Sequence, residues 1–384
     1  MKKSFKNQTA EEQAKTIEFN KVIYDEYFDE NYMHLLVDKF IKLIDEAYFR
    51  SRFIDFDDIE ERDPNEAPTI FYSNHSGMAF PWDGMVMCAR LYQMNNYQLN
   101  KFLRPLAAPA LSLSNLMNPY MIKHIWKRVG AVDATFLNFE TMMQYKGSHL
   151  MLYPEGVPGI GKGFNKRYQT QRFATSFIRL ACKYKAPICP IHTINGEYIN
   201  PYTFSFEAIN KQIRKIGVPF LPVGFLLPFM LIFPWLFYYA WPARLTYVKG
   251  KVFKPWELIN KAPEEITDED VEKITKIVQE DFQKGLNKNV KTYGQRGIQW
   301  KHFWKTMILK QHMYPLNMPF GWPAFFAEFE RKFQKGKGEH FSMEIGWKAW
   351  FKSLLKNPFF FWFYIPIIGW IPLAIRGFKK TIPK

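Results

Sequence analysis

The sequence predicts an α/β protein, with a central sheet flanked by helices, additional helices at the N-terminus and long apolar segments in its second half. Short apolar runs ended by polar clusters, which are typical of buried strands, occupy residues 69–72, 149–153 and 187–194. Helix-like stretches such as residues 173–184 lie between them, and alternating strands and helices favour an α/β fold. Functional residues of such sheets follow the strand ends, where His75 and Glu155 occur.

Amphipathic helices are predicted on both sides of this region. Apolar residues recur at helical spacing among charges from residue 10 to residue 52, with a break near residues 29–31. The acidic, turn-rich segment 55–68 then marks a boundary. Thr267 and the acidic residues after it predict the start of another helix over residues 266–286. We therefore divide the chain into an N-terminal helical region (1–62), a central domain (63–290) and a C-terminal extension (291–384).

Two long segments lack charge. Residues 218–243 could reach across a bilayer, but their five prolines disfavour a simple spanning helix. We expect a re-entrant or interfacial hairpin, with a buried core segment as the alternative. Residues 357–375 form the second uncharged stretch, within an aromatic and basic extension. Both segments are predicted to contact a membrane.

The charge of the chain favours a polyanionic partner. The formal net charge is +16, and 18% of the residues are aromatic. Basic residues such as Lys211, Arg214, Lys215, Arg244 and Lys249 flank an apolar stretch, whereas a nucleic-acid-binding protein places them on a polar face. Anionic membrane lipids are therefore the expected partner, and nucleic acid is not.

Cysteine usage and the first residues bear on location. Cys88, Cys182 and Cys189 show neither CxxC nor zinc-like spacing, so we predict no disulfide framework and no metal or other cofactor. Residues 1–16 are polar and lack the apolar core of a secretory leader. We expect a membrane-associated protein on the cytoplasmic face.

The stretch from Phe71 to Gly84 contains the first candidate for chemistry. His75 leaves a predicted strand, a small-residue turn follows, and Asp83 comes next. A carboxylate that folds back onto one imidazole nitrogen fixes its tautomer and leaves the other nitrogen free as a general base. A structural histidine is the more frequent outcome for such a pair taken alone. The residues around Glu155 therefore decide between a catalytic and a structural role for His75.

The second cluster is a glycine-rich loop after the strand at residues 149–153. Pro154-Glu155-Gly156 leads into Gly159, Gly161 and Lys162, and Arg167 and Arg172 follow. Backbone N–H groups and cations in such a loop can hold a phosphate. The spacing matches neither a Walker A loop nor a dinucleotide fingerprint, so no nucleotide-hydrolysis site is predicted.

The ordered set of blocks resembles the glycerolipid acyltransferases, the superfamily that includes lysophosphatidate and glycerol-3-phosphate acyltransferases, and looks especially like a bacterial subgroup. The resemblance covers about residues 69–196 and extends weakly to residue 286. It implies that His75 and Asp83 are catalytic, that Glu155 and Gly156 bind the acceptor, and that residues 188–191 around Pro190 form an apolar fourth block.

Two features depart from the family pattern. The usual gap between His and Asp is four residues, whereas seven residues separate His75 from Asp83. The second block normally ends in an arginine that binds the acceptor phosphate, but here residues 129–132 lead to Asp133. Arg104, Lys162, Arg167 or Arg172 would have to replace that arginine.

The reaction implied by the resemblance is transfer of a fatty acyl group from acyl-CoA or acyl carrier protein to a hydroxyl of a lysophosphatidate-like acceptor at the membrane. His75 would remove the proton and Asp83 would orient His75. The missing arginine leaves a neutral acylglycerol or another alcohol open as the acceptor. Because the spacing between His75 and Asp83 is wider than in the family, a non-catalytic lipid-binding protein on the same fold is also an open alternative.

Overall fold

The central feature of the protein is a seven-stranded mixed sheet, seen in a computed structural model that describes residues 5–57, 59–77, 80–216 and 220–377. Its spatial order is β1-β7-β6-β2-β5-β3-β4. Every neighbouring pair is parallel except β6 and β7, which are antiparallel. The strands are β1 (Arg52–Ile54), β2 (Ile70–Ser73), β3 (Leu103–Ala107), β4 (Val132–Asp133), β5 (His149–Leu152), β6 (Ile188–Ile194) and β7 (Thr246–Lys249).

Helices cover the sheet and form the terminal regions. Those of the first half are α1 (Ala10–Asn20), α2 (Glu30–Leu36), α3 (Lys42–Ile44), α4 (Trp82–Met94), α5 (Ala110–Leu113), α6 (Ile125–Arg128), α7 (Phe136–Met142), α8 (Gly156–Ile160) and α9 (Ser176–Lys183). Those of the second half are α10 (Glu207–Ile213), α11 (Leu226–Ile232), α12 (Asp268–Tyr293), α13 (Trp300–Leu309), α14 (Trp322–Lys335), α15 (Trp347–Lys356) and α16 (Trp370–Gly377). The α/β class predicted from the sequence is confirmed.

The central strands form where the sequence is apolar without interruption. All residues of β2, β5 and β6 are buried, as expected for strands that helices cover on both faces. The three apolar runs found in the sequence match these strands to within about one residue. Their parallel register brings the three carboxyl ends to one edge of the sheet.

The N-terminal region is helical, but it also supplies one strand. Asp29 caps α2 by accepting a hydrogen bond from the Tyr32 N–H, so the break near residues 29–31 is a helix start. Two π-helical turns, Val37–Ile41 and Asp45–Phe49, extend this helix on either side of α3. Residues 52–54 then pair with β7 rather than continuing the helix. The predicted helical region therefore ends before Arg52.

Helix α12 begins as the sequence predicts. The Thr267 side chain accepts a hydrogen bond from the Asp270 N–H, and the Asp270 side chain accepts one from the Thr267 N–H. This reciprocal pair satisfies two donors that a helix start leaves without intrahelical partners. The apolar stripe of α12 packs against β6 and α9. The helix therefore covers one face of the sheet.

The C-terminal extension packs into the same core as the central domain. Trp82, the first residue of α4, contacts Trp322 of α14 with ring centroids 4.5 Å apart, and both side chains are fully buried. Tyr48 packs edge-on against Trp322 at 5.3 Å. Aromatic side chains dominate such contacts because they bury large apolar areas. The extension is thus an integral layer around α4.

The described parts of the two uncharged segments form short helices. Residues 220–243 contain α11 and a 3₁₀ turn at Pro234–Tyr238, and the second segment ends in α16. The segments meet where the Ile367 N–H donates to the Ile232 carbonyl over 2.8 Å. Within the described ranges, no helix has both the length and the apolarity needed to span a bilayer.

Candidate active site

A cavity of about 450 Å³ opens beside the carboxyl ends of β2 and β5. Its wall includes His75, one side of α4, residues 105–111 and the inner side of α11. Among the described lining residues none is charged, and the polar side chains are few. A cavity of this volume and composition is in the range that holds an elongated apolar ligand.

His75 lies two residues beyond β2, on the cavity wall, and is half-buried. Its backbone N–H donates to Glu155 Oε1 over 2.9 Å, and its ring stacks on Tyr153 with centroids 4.3 Å apart and planes 15° apart. Burial lowers the pKa of His75 to about 3, and the charge of Lys162 lowers it further in the same direction. The imidazole is therefore neutral near pH 7, as a proton acceptor must be.

The loop that carries His75 is fixed to β6. The Asn74 amide donates to the Thr193 carbonyl over 2.9 Å and accepts from the Thr193 N–H over 2.9 Å. Asn74 and Thr193 are fully buried, so this paired contact is shielded from water. The start of the His75 loop is therefore held against the sheet.

Asp83 is buried in the first turn of α4. Burial raises the pKa of its carboxyl group, and nearby backbone N–H groups, that of Gly84 first, oppose that shift. Asp83 Oδ2 has no hydrogen-bond partner. In the described part of the chain no hydrogen bond or ion pair joins this carboxyl group to the His75 imidazole. The catalytic pairing of His75 with Asp83 stays a prediction.

Tyr153 is a site residue that the sequence reasoning missed. Besides stacking on His75, it lines the cavity, and its hydroxyl group is buried without a partner. A Cβ added at Gly84 would lie 2.8 Å from that hydroxyl oxygen, so Tyr153 reaches the first turn of α4. Burial and the charge of Asp83 both raise the pKa of Tyr153 well above its usual value. In the sequence, the position of Tyr153 directly before Pro154-Glu155-Gly156 is the feature that could have identified it as a site residue.

Glu155 belongs to a buried charged cluster behind the cavity. Its Oε2 accepts from the Gln171 N–H over 2.6 Å and lies 3.8 Å from Lys162 Nζ. Lys162 Nζ also lies 3.5 Å from Glu197 Oε1 and donates to the Gln169 carbonyl over 3.1 Å. Burial raises the pKa of Glu155, and Lys162 opposes that shift. The three side chains tie the His75 loop to the glycine-rich loop.

The structure separates the other predicted binding residues. Gly156 lines the cavity, has a φ of +56° and has open space where a Cβ would lie. Lys162 is buried in the charged cluster, and Arg167 and Arg172 are exposed outside the cavity. Arg104 donates to the carbonyls of Gly130 and Tyr24 and also lies outside the cavity. The four cations therefore do not converge on the cavity.

The comparisons with known proteins leave the family open. No protein-family model and no solved structure matches the chain. Uncharacterized proteins of Mycobacterium tuberculosis and Mycobacterium bovis are 26% identical to it over 206 residues, which cover 53% of this chain and 53% of theirs. An uncharacterized protein of Mycobacterium leprae is 25% identical over 206 residues, which cover 52% of its length. The chain thus spans about half the length of the curated relatives it matches.

Proposed function

We propose that the protein is a membrane-associated acyltransferase that moves a fatty acyl group from a thioester, acyl-CoA or acyl carrier protein, to a hydroxyl of a glycerolipid acceptor. The observation that carries the proposal is a histidine just beyond a strand end, on the wall of an apolar cavity of about 450 Å³. The ordered blocks around His75 and Glu155, which resemble the glycerolipid acyltransferases, add support.

The cavity is suited to the acyl chain. Each methylene moved from water into an apolar wall contributes about 0.8 kcal/mol, and an unbranched chain can follow the side of α4 through Met85, Ala89 and Tyr92. The thioester carbonyl would then lie at the His75 end. Binding energy from the remote chain would place the reacting carbon next to the base.

The chemistry requires one base and stabilisation of one oxyanion. His75 accepts the proton of the acceptor hydroxyl while that oxygen attacks the thioester carbon, which forms a tetrahedral oxyanion. Collapse of this intermediate breaks the carbon–sulfur bond, and the proton passes from His75 to the departing thiolate. Asp83 would stabilise the imidazolium electrostatically. The Glu155 carboxylate would position His75 by accepting a hydrogen bond from the His75 backbone N–H.

Membrane association is proposed from an exposed apolar face. Helix α11 directs Leu226, Leu227 and Met230 into the cavity. Phe225, Phe229 and Leu231, at or next to this helix, are between 50% and 59% exposed. Trp241 packs against both Phe225 and Trp300 with ring centroids 5.8 and 6.1 Å apart, and the Ile367 N–H donates to the Ile232 carbonyl, so α11 is connected to the start of α13 and to the segment before α16. Exposed side chains of those two elements are Trp300, Trp304, Ile308, Leu309, Ile367, Ile368 and Ile371. A patch of this kind marks an interaction surface on a protein. We name these exposed residues the apolar face.

The cavity also favours a specific acceptor class. A phosphorylated acceptor needs a cation close to its phosphate, whereas the described lining residues carry no charge. A neutral acylglycerol or another alcohol is therefore a strong alternative to lysophosphatidate. Acceptor competition in the same assay distinguishes the two classes.

The test is acyl transfer by purified protein in detergent micelles, with acyl-CoA and either lysophosphatidate or monoacylglycerol. We expect His75→Ala to lower kcat at least about a hundredfold, the lower range for loss of a general base, while its thermal unfolding remains cooperative. His340→Ala, at an exposed histidine, is the matched control. Full activity of His75→Ala would refute the assignment.

A non-catalytic lipid-binding protein is the second candidate. The observation that favours it is the absence, within the described residues, of a direct bond between His75 and Asp83. It predicts that a fluorescent fatty acid occupies the cavity with equal affinity in the wild type and in His75→Ala, and that neither protein transfers acyl groups. Transfer by the wild type would exclude it.

A further inference from the structure

A group of cations surrounds the first turn of α13, away from the catalytic cavity. Arg50 donates to the carbonyls of Pro242 and Ile298, both over 3.0 Å. The backbone N–H of Arg244 donates to the Gly297 carbonyl over 2.8 Å, and the Arg244 guanidinium donates through Nη1 to Gln299 Oε1 over 2.5 Å. Gln299 immediately precedes α13. Both guanidinium groups therefore lie at the start of this helix.

The start of α13 has no acidic group of its own. Helix α13 has ten residues, its first turn contains no Asp or Glu, and Gln299 makes no capping hydrogen bond through its side chain. The first N–H groups of a helix lack intrahelical acceptors and carry a partial positive charge. This end of α13 is thus suited to an external anion.

The surrounding cations are not neutralised. In the described part of the chain, Arg50, Arg52 and Arg244 take part in no ion pair with a carboxylate. The nearby carboxylate of Asp45 is held instead by Arg90 and Ser51. The positive charges of Arg244, Arg50, Lys305 and Arg52 all lower the pKa of His302, after the effect of burial. The local potential is therefore positive.

Unpartnered buried donors provide a second observation. Arg50 is only 6% exposed, and its Nε has no acceptor. Arg244 Nε and Trp241 Nε1 are also buried without acceptors. The three groups are donors only, and buried donors normally have partners. An anion is the kind of ligand that such a set of N–H groups recognises.

We infer that the start of α13, together with Arg50, Arg244 and His302, binds the phosphate of an anionic lipid headgroup at the membrane surface. The lipid source is favoured because Trp241 packs edge-on against Trp300 at 6.1 Å, and Trp300 and Trp304 belong to the apolar face. A phosphate held here would belong to a lipid whose chains lie beside those rings. The inference rests on the membrane association in the proposed function.

The test measures partition of the full chain onto phosphatidylcholine vesicles with and without phosphatidylglycerol. His302→Glu places a negative charge in the first turn of α13, where the helix dipole stabilises it, so the variant should fold. Arg244→Gln removes a positive charge and keeps a side chain that can hydrogen-bond. We expect each to weaken binding to phosphatidylglycerol vesicles about fivefold, the effect of one charge near the surface. Binding to pure phosphatidylcholine should not change.

His340→Glu, the same change at an exposed histidine elsewhere, is the control and should alter binding less than twofold. Wild-type affinity of both His302→Glu and Arg244→Gln for phosphatidylglycerol vesicles would overturn the inference. Displacement of the wild type by inorganic phosphate, beyond the effect of chloride at equal ionic strength, would overturn the lipid source. Acyl transfer by the wild type in detergent micelles is measured separately, so its failure would count against the enzyme and not against this site.

Discussion

Shortening the cavity should change the acyl-chain length that the protein accepts. Ala89 lies on the cavity wall, five residues after Gly84 in α4, which corresponds to about 7.5 Å along the helix axis. Ala89→Leu adds about three carbon atoms at that depth, and both residues are good helix formers. The added carbons would occupy space that the distal acyl chain needs.

The size of the effect follows from the methylenes displaced. About three methylenes at 0.8 kcal/mol each amount to about 2.4 kcal/mol, or about a 50-fold loss in kcat/KM for a long acyl chain. A chain too short to reach Ala89 should lose less than twofold. The assay is kcat/KM for a series of acyl-CoA chain lengths with one acceptor.

Ala14→Leu, the same substitution at an exposed position of α1, is the control for nonspecific effects. An equal loss for short and long chains in a folded Ala89→Leu protein would refute the proposed path of the acyl chain. An unchanged kcat/KM for long acyl chains would refute it as well.

Two further predictions concern the residues at the His75 end. His75 has a pKa depressed to about 3, below its unfolded value near 6.5, so its contribution to stability is complete above pH 6.5 and is lost as the pH falls towards 3. Chemical denaturation of wild type and His75→Gln at several pH values should show a shallower acid loss in the variant, and parallel curves would contradict this. Tyr153→Phe keeps the ring on His75 and removes a buried hydroxyl without a partner, so the free energy of unfolding should rise by about 1 kcal/mol. A decrease in denaturation midpoint would show that the hydroxyl is satisfied.

The sequence predicted the centre of the sheet and missed its edges. β2, β5 and β6 are buried throughout, so their apolar runs were visible without knowledge of their neighbours. β1 has only three half-buried residues and exists because it pairs with β7. Its strand character therefore depends on a partner distant in sequence, which a local pattern does not report.

The site shows the same division. The sequence identified His75, Asp83 and Glu155 from their order, and the structure places all three near the carboxyl ends of β2 and β5. Tyr153 escaped notice because stacking on His75 depends on the parallel pairing of β2 with β5. The sequence shows the cations of the glycine-rich loop, but it does not show which of them are buried and which are exposed. Lys162 consequently looked like a phosphate ligand although it is paired inside the protein.

The contact between Trp82 and Trp322 has a consequence for the order in which the protein is made. Asp83 follows Trp82 directly, and the ring of Trp82 packs against a residue that is translated some 240 positions later. When only the part of the chain that contains the strands has left the ribosome, the Trp82 ring is exposed and the first turn of α4 lacks its contact with α14. We therefore expect the first turn of α4 to pack fully only after α14 has left the ribosome, and nascent chains that stop before α14 to need protection from aggregation.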